Sequence, residues 1–174
     1  MFRITFDHVL INSVLKKVGD PKLEYRQGCI LGQINVPLGS AAVNMVIIPT
    51  FSPRHLVFLI PFKEIKGSVT GKLFLSKLVG VFWGTISKEV EKRLVPLLRK
   101  AGLPTDTVSL EKSKDPSGDV GKIIISMQCV HRWLAGKHPT LAVKVMDVVF
   151  NSQGVEIVGD VEVQKRRLPA PQYN

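Results

Sequence analysis

Four histidines, two cysteines and the acid pair Asp115 and Asp119 are the first residues of this 174-residue chain to weigh for catalysis or metal binding. The histidines are His8, His55, His131 and His138. A zinc hydrolase of the HExxH type needs two histidines one helical turn apart with a glutamate beside the first, so that three groups face one ion. No two histidines here stand three or four positions apart. His131 and His138 flank a loop seven residues apart and read as ordinary loop or strand-edge side chains. Asp115 and Asp119 flank Pro-Ser-Gly, a spacing similar to part of a calcium loop, but the other oxygen ligands and the closing glutamate are missing. They read as a solvated turn. Cys29 and Cys129 each lie in an apolar or strand-like stretch and read as free core thiols; two cysteines cannot supply a four-ligand zinc site. GxSxG, GxGxxG and Walker A patterns are absent. The expectation is a non-enzyme, with no catalytic residue, no metal and no cofactor.

Charge and hydropathy set the next bounds. The net charge is +10, from 24 Lys+Arg against 14 Asp+Glu. Such a balance suits an anionic partner: nucleic acid, a membrane surface or an acidic ligand. The basic residues are scattered, and the one dense cluster is Lys165, Arg166 and Arg167 before the ending LPAPQYN. A hydrophobic fraction of 45% is enough for a core. No apolar run reaches the length of a membrane span. The opening MFRITFDHVLINSVLKKV is interrupted by Asp7 and His8 and lacks the layout of a signal peptide. The expected location is cytoplasmic, with attachment to the periphery of a membrane as the variant. The expected organisation is one domain over 1–168 and a loose tail over 169–174.

The element that must organise the chain is 73–101, LFLSKLVGVFWGTISKEVEKRLVPLLRKA. Leu75, Leu78, Val79, Phe82, Ile86, Val90, Leu94, Leu97, Leu98 and Ala101 recur at steps of three or four, the spacing of one helical face. A helix of that length spans about 43 Å. Its first half is apolar nearly all round, because Val81 and Trp83 lie off the main stripe; its second half is amphipathic. Gly102 sits where a C′ glycine belongs, and Pro104 blocks continuation. Pro96 predicts a kink near Lys92–Pro96 or a break into two helices near Val95.

Before this helix, 2–6 alternates like a strand, and 7–18 places Val9, Leu10, Val14 and Val18 near one helical face, with Asp7 as N-cap and Gly19 as stop. A continuous strand is the alternative there. Residues 22–70 read as strands, with Gly28 and Gly32 marking a bulge or bend. After Gly102, 107–111 reads as a strand, 112–121 as a polar hairpin loop and 122–133 as a strong strand with Ile123, Ile125, Met127, Cys129 and His131 on one face. LAGKHP reads as a loop. The clearest hairpin is 141–150 with 155–163, turned by NSQG with Gly154 at a positive φ.

Residues 73–86 carry more apolar surface than one sheet face can cover, so a wrapped sheet, a ligand or another chain must cover the rest. The order of elements, from DHVLINSVLKKV through a β block and a long apolar helix to LAVKVMDVVFNSQGVEIVGDVEV, resembles the tubular lipid-binding (TULIP) superfamily, and within it the bacterial LmeA-like phospholipid-binding proteins. The resemblance is a pattern of elements rather than a motif. An export signal, found in many of those proteins, is not evident here. It implies an α+β fold in which a strongly bent, mostly antiparallel sheet wraps one long helix, after a short N-terminal helix. An apolar groove between them would take acyl chains.

The expected function is therefore non-enzymatic binding of a lipid or another apolar small molecule. Phe74, Leu78, Phe82, Trp83 and Ile86 would line the groove. Lys72, Lys77, Lys165, Arg166 and Arg167 would meet an anionic head group or membrane surface. Phe82 is expected to pack against the sheet and Trp83, about 100° away round the helix, to meet the ligand or a partner. The rival from another class is a structural protein whose apolar helix face makes a homodimer. Nucleic-acid binding ranks third. Arg26, Lys63, Lys66, Lys72 and Lys77 could form a basic stripe, but Phe58, Phe62, Phe74, Phe82 and Phe150 sit among apolar residues and look like core. Trp133 beside Arg132 is the one stacking candidate.

Overall fold

The computed structural model describes residues 1–18, 22–36, 41–67, 72–116 and 118–163, with the backbone alone at 18, 34–36, 41, 42, 67, 72–82, 85, 86, 89 and 93. In chain order the elements are β1 (Phe2–Asp7), α1 (His8–Leu15), β2 (Lys22–Arg26), β3 (Cys29–Val36), β4 (Ala41–Phe51), β5 (His55–Pro61), β6 (Lys66–Gly67), α2 (Lys72–Ala101), β7 (Val108–Asp115), β8 (Gly118–Ser126), α3 (Met127–Lys137), β9 (Leu141–Asn151) and β10 (Gly154–Val163). Short 3-10 turns occupy Lys16–Val18, Phe62–Glu64 and Thr105–Thr107.

These strands make two antiparallel sheets. One is three-stranded in the order β1-β10-β9; the other is seven-stranded in the order β2-β3-β4-β5-β8-β7, with β6 added to β4. The expected single bent sheet wrapped around one long helix is thereby overturned. Strand β1 leaves the first β block and pairs with β10, Phe2 opposite Gly159 and Asp7 opposite Gly154. That closes a separate sheet with the β9–β10 hairpin. Strand β5 pairs with β8, which joins the rest of the first block to the second.

Helix α2 is one continuous helix with Pro96 inside it, not two. Gly102, at φ +76°, ends it. The Gly102 N–H donates to the Arg99 carbonyl at 3.0 Å and the Leu103 N–H to the Leu98 carbonyl at 2.8 Å, the paired bonds of a Schellman cap. The indole N–H of Trp133, on α3, donates to the Ala101 carbonyl at 3.1 Å. Trp133 thus ties α3 to the end of α2, with its N–H engaged in the fold.

The core cluster is Met45, Ile60, Phe62, Ile65 and Trp83, flanked by Val43, Ile47, Leu110 and Ile123. Trp83 is buried, its ring centroid 5.9 Å from that of Phe62. It also lies over Gly121 on β8, where any side chain would collide with the indole. The expectation that Trp83 faces outward to a ligand or partner is corrected accordingly. A glycine in the facing strand opens a recess that accepts the largest side chain of the helix.

Two readings of the second β block also change. Residues 127–133 are helical rather than strand, because Ser126 caps α3 by accepting from the Cys129 N–H at 3.4 Å. From there Met127, Val130, His131 and Leu134 fall at helical spacing, and the expected loop LAGKHP is mostly the last turn of α3. The polar segment 112–121 is mostly strand. Strands β7 and β8 stay paired from Val108 opposite Ile125 out to Asp115 opposite Gly118, and a Lys112–Asp119 ion pair at 3.5 Å bridges them.

A candidate ligand-binding hollow

The hairpin β2–β3 sets the frame of the site. Gln27 (φ 52°) and Gly28 (φ 81°) form its two-residue turn, the conformation whose twist matches the flanking strands. Gly28 therefore marks the bend as a tight turn, not a bulge. This fixes Lys22 opposite Gln33. Strand β4 then places Asn44 opposite Gln33, and β6 places Lys66 opposite Asn44. Directly opposed residues share a face of a sheet. Lys22, Gln33, Asn44 and Lys66 therefore form one row across four strands, a span of about 14 Å at about 4.8 Å per strand. Two positions along, on the same face, Glu24, Leu31 and Val46 form a second row.

Between those rows stand Leu23, Gly32 and Met45. Gly32 is buried, and a Cβ there would come within 2.9 Å of the Met45 Cγ and 3.3 Å of a Leu23 methyl. The missing side chain lets Leu23 and Met45 close over the strand.

Helix α1 closes one side. The Asp7 carboxylate caps it by accepting from the Leu10 N–H at 2.7 Å. The Asn12 amide then bonds both backbone groups of Tyr25 on β2: Oδ1 accepts from the Tyr25 N–H at 2.6 Å, and Nδ2 donates to the Tyr25 carbonyl at 3.1 Å. The side chain thus does for an edge strand what a neighbouring strand would do. Tyr25 is buried and its hydroxyl lies 2.8 Å from the Asn151 carbonyl and 2.7 Å from that of Gly154, so one side chain joins the two sheets. Burial raises the Tyr25 pKa, so the hydroxyl keeps the proton it donates.

The result is an open-mouthed hollow of about 820 Å³, within the usual range for small-molecule sites. Leu31 and Val46, on the face of the polar row, are its apolar side chains, with Leu23 and Met45 bordering it from the row between; Asn12, Gln33 and Asn44 contribute amides; Lys16, Lys22 and Lys66 contribute ammonium groups against the carboxylates of Glu24 and Glu64. The three lysines are exposed. Among the described residues no carboxylate stands within ion-pair distance of any of them. The lining offers donors for an anionic or hydroxylated group, and hydrocarbon for an apolar one.

Of the expected site residues, Trp83 is in the core. Lys72, Phe74, Lys77, Leu78, Phe82 and Ile86 lie along α2, and their side chains fall outside the described residues, as do Lys165, Arg166 and Arg167 altogether. Lys66, expected only as part of a basic stripe, is the one such residue in the hollow. His131 and His138 form no metal pair: the His131 Nε2 accepts from the Val145 N–H of β9 at 3.0 Å. Among the described residues no three His, Cys, Asp or Glu side chains gather around a possible metal position, Cys29 and Cys129 are unpaired, and no helix is long and apolar enough to cross a membrane. The signal for the hollow was present in the sequence as two amides, Gln33 and Asn44, each among mostly apolar strand residues. Comparison with protein-family models, with curated proteins and with solved structures finds no match.

Proposed function

We propose that this chain is a non-enzymatic binding protein for an amphipathic ligand, taken up in the hollow between α1 and strands β2, β3, β4 and β6. The observation that carries this reading is the row Lys22–Gln33–Asn44–Lys66 beside the apolar side chains of Leu31 and Val46 on the same face. An anionic head meets ammonium and amide donors, and a hydrocarbon tail meets aliphatic side chains. Single-chain lipids and other acidic amphiphiles have that chemistry. Native mass spectrometry of the purified protein, followed by organic extraction, tests it: a stoichiometric acidic amphiphile supports the reading, and an empty protein that also rejects added amphiphile refutes it.

A second reading, self-association, has its own support. In the three-stranded sheet Ile4, Ile157 and Val148 oppose one another, as do Phe6, Val155 and Phe150. None of these six is buried, and Val161 and Val163 further along are exposed. Light scattering behind a sizing column distinguishes a dimer from a monomer.

A further inference from the structure

We infer that the outward face of α1 is a docking surface for an anionic membrane. The rotation of this helix is fixed. Asp7 caps its first turn, the His8 N–H donates to the Gln153 carbonyl at 3.1 Å, and Asn12 is bonded twice to Tyr25. At about 100° per residue these anchors turn Ile11, Asn12 and Leu15 toward the protein, and all three are half-buried. Val9, Leu10 and Val14 are thereby turned outward, at 66%, 48% and 55% exposure, and no residue of the helix is buried. An eight-residue helix would not persist in water alone. Here its anchors hold it formed, so an apolar face stands ready without a folding cost at docking.

Charge identifies the occupant. From His8 to Val18 the chain HVLINSVLKKV contains no acidic residue, and the carboxylate of Asp7 is engaged in the cap. Lys16 and Lys17 follow the helix directly and are exposed. Three aliphatic side chains are far fewer than the 20–30 residues a side of a stable protein interface. Shallow insertion of a short apolar face, reinforced by adjacent lysines, is how interfacial helices hold an anionic bilayer, and the net charge of +10 favours the same surface. The opposite side of this helix supplies Asn12 to the hollow, and Lys16, just past its end, lines the hollow too, so the hollow opens beside the docked surface. The docking itself does not depend on what the hollow binds.

Co-sedimentation of the full chain with vesicles tests the inference, using phosphatidylglycerol mixed into phosphatidylcholine against phosphatidylcholine alone. The chain binds the mixed vesicles at least about tenfold better, and high salt weakens that binding. Leu10→Glu with Val14→Glu lowers it by about tenfold or more while leaving binding of dodecyl phosphate unchanged, which separates this inference from the ligand reading. Lys17→Ala, at an exposed lysine outside the hollow, lowers it by about fivefold. Leu10→Trp, a change at an exposed site, gives an emission that shifts to the blue on mixed vesicles. Equal binding to both vesicle types, full binding by the Leu10→Glu/Val14→Glu variant, or an unshifted Leu10→Trp emission would overturn the inference. So would a native dimer that the glutamate variant converts to monomer, which would assign the face to a second copy.

Discussion

Trp83 of α2 lies over the bare backbone of Gly121 on β8, with the ring of Phe62 tilted against it at a centroid distance of 5.9 Å. This contact seats the long helix on the larger sheet. Lys112 completes it from outside, its Nζ 5.7 Å from the centre of the Phe62 ring. Trp83→Ala is expected to cost about 3–5 kcal/mol, the range for truncating a buried aromatic. Gly121→Ala pushes a methyl into the indole and is expected to cost about 1–3 kcal/mol. Urea denaturation of both variants measures this. A loss below about 1 kcal/mol for Trp83→Ala would remove Trp83 from the core.

The Tyr25 hydroxyl is a direct polar link between the sheets. Tyr25→Phe leaves the carbonyls of Asn151 and Gly154 without that donor and is expected to cost about 1–2 kcal/mol. Asn12→Ala strips both edge groups of Tyr25 and also removes an amide from the hollow. It should therefore lower stability and weaken ligand retention together, whereas Tyr25→Phe should lower stability alone. Thermal unfolding with and without added amphiphile separates the two effects.

His131 gives the fold a pH dependence with a definite sign. Its Nε2 can accept from the Val145 N–H only when the ring is neutral, with the proton on Nδ1. Burial, and next the charge of Lys144, hold its pKa below the ordinary histidine value. The folded state thus favours the neutral ring more than the unfolded state does. Its contribution is fully present above the unfolded pKa of about 6.5 and is lost as the pH falls through that value to the lower folded pKa. The urea midpoint should decline over that window. His131→Gln keeps an acceptor that does not titrate, so it should flatten the decline; an unchanged pH profile in that variant would contradict the assignment.

Local structure was legible wherever a single residue decides a boundary. Asp7 marks the start of α1, Gly102 the end of α2, and Gly154 the turn of the β9–β10 hairpin, and each acts through a cap or a positive φ visible in the sequence. Helix α3 was missed because the strand run Ile123–Ile125 leads straight into Met127–Val130, and only Ser126 signals the change of period. The division into two sheets was not legible, since the pairing of Phe2–Asp7 with Gly154–Gly159 depends on residues at opposite ends of the chain. The hollow was missed for a related reason. Lys22, Gln33, Asn44 and Lys66 become a row only through three registers, and alternation within any one strand does not show them together.

The most direct test of the binding account is calorimetric titration of the full chain with dodecyl phosphate and with dodecanol, which share a tail and differ in the head. Lys22→Ala with Lys66→Ala removes the two ends of the polar row from exposed positions, so the fold should stand. The account predicts that the native chain binds dodecyl phosphate at least about tenfold tighter than dodecanol, a difference of about 1.4 kcal/mol, and that the double variant loses this preference while its affinity for dodecanol holds. Equal affinities of the native chain for both compounds, or a preference that survives in the double variant, would contradict it.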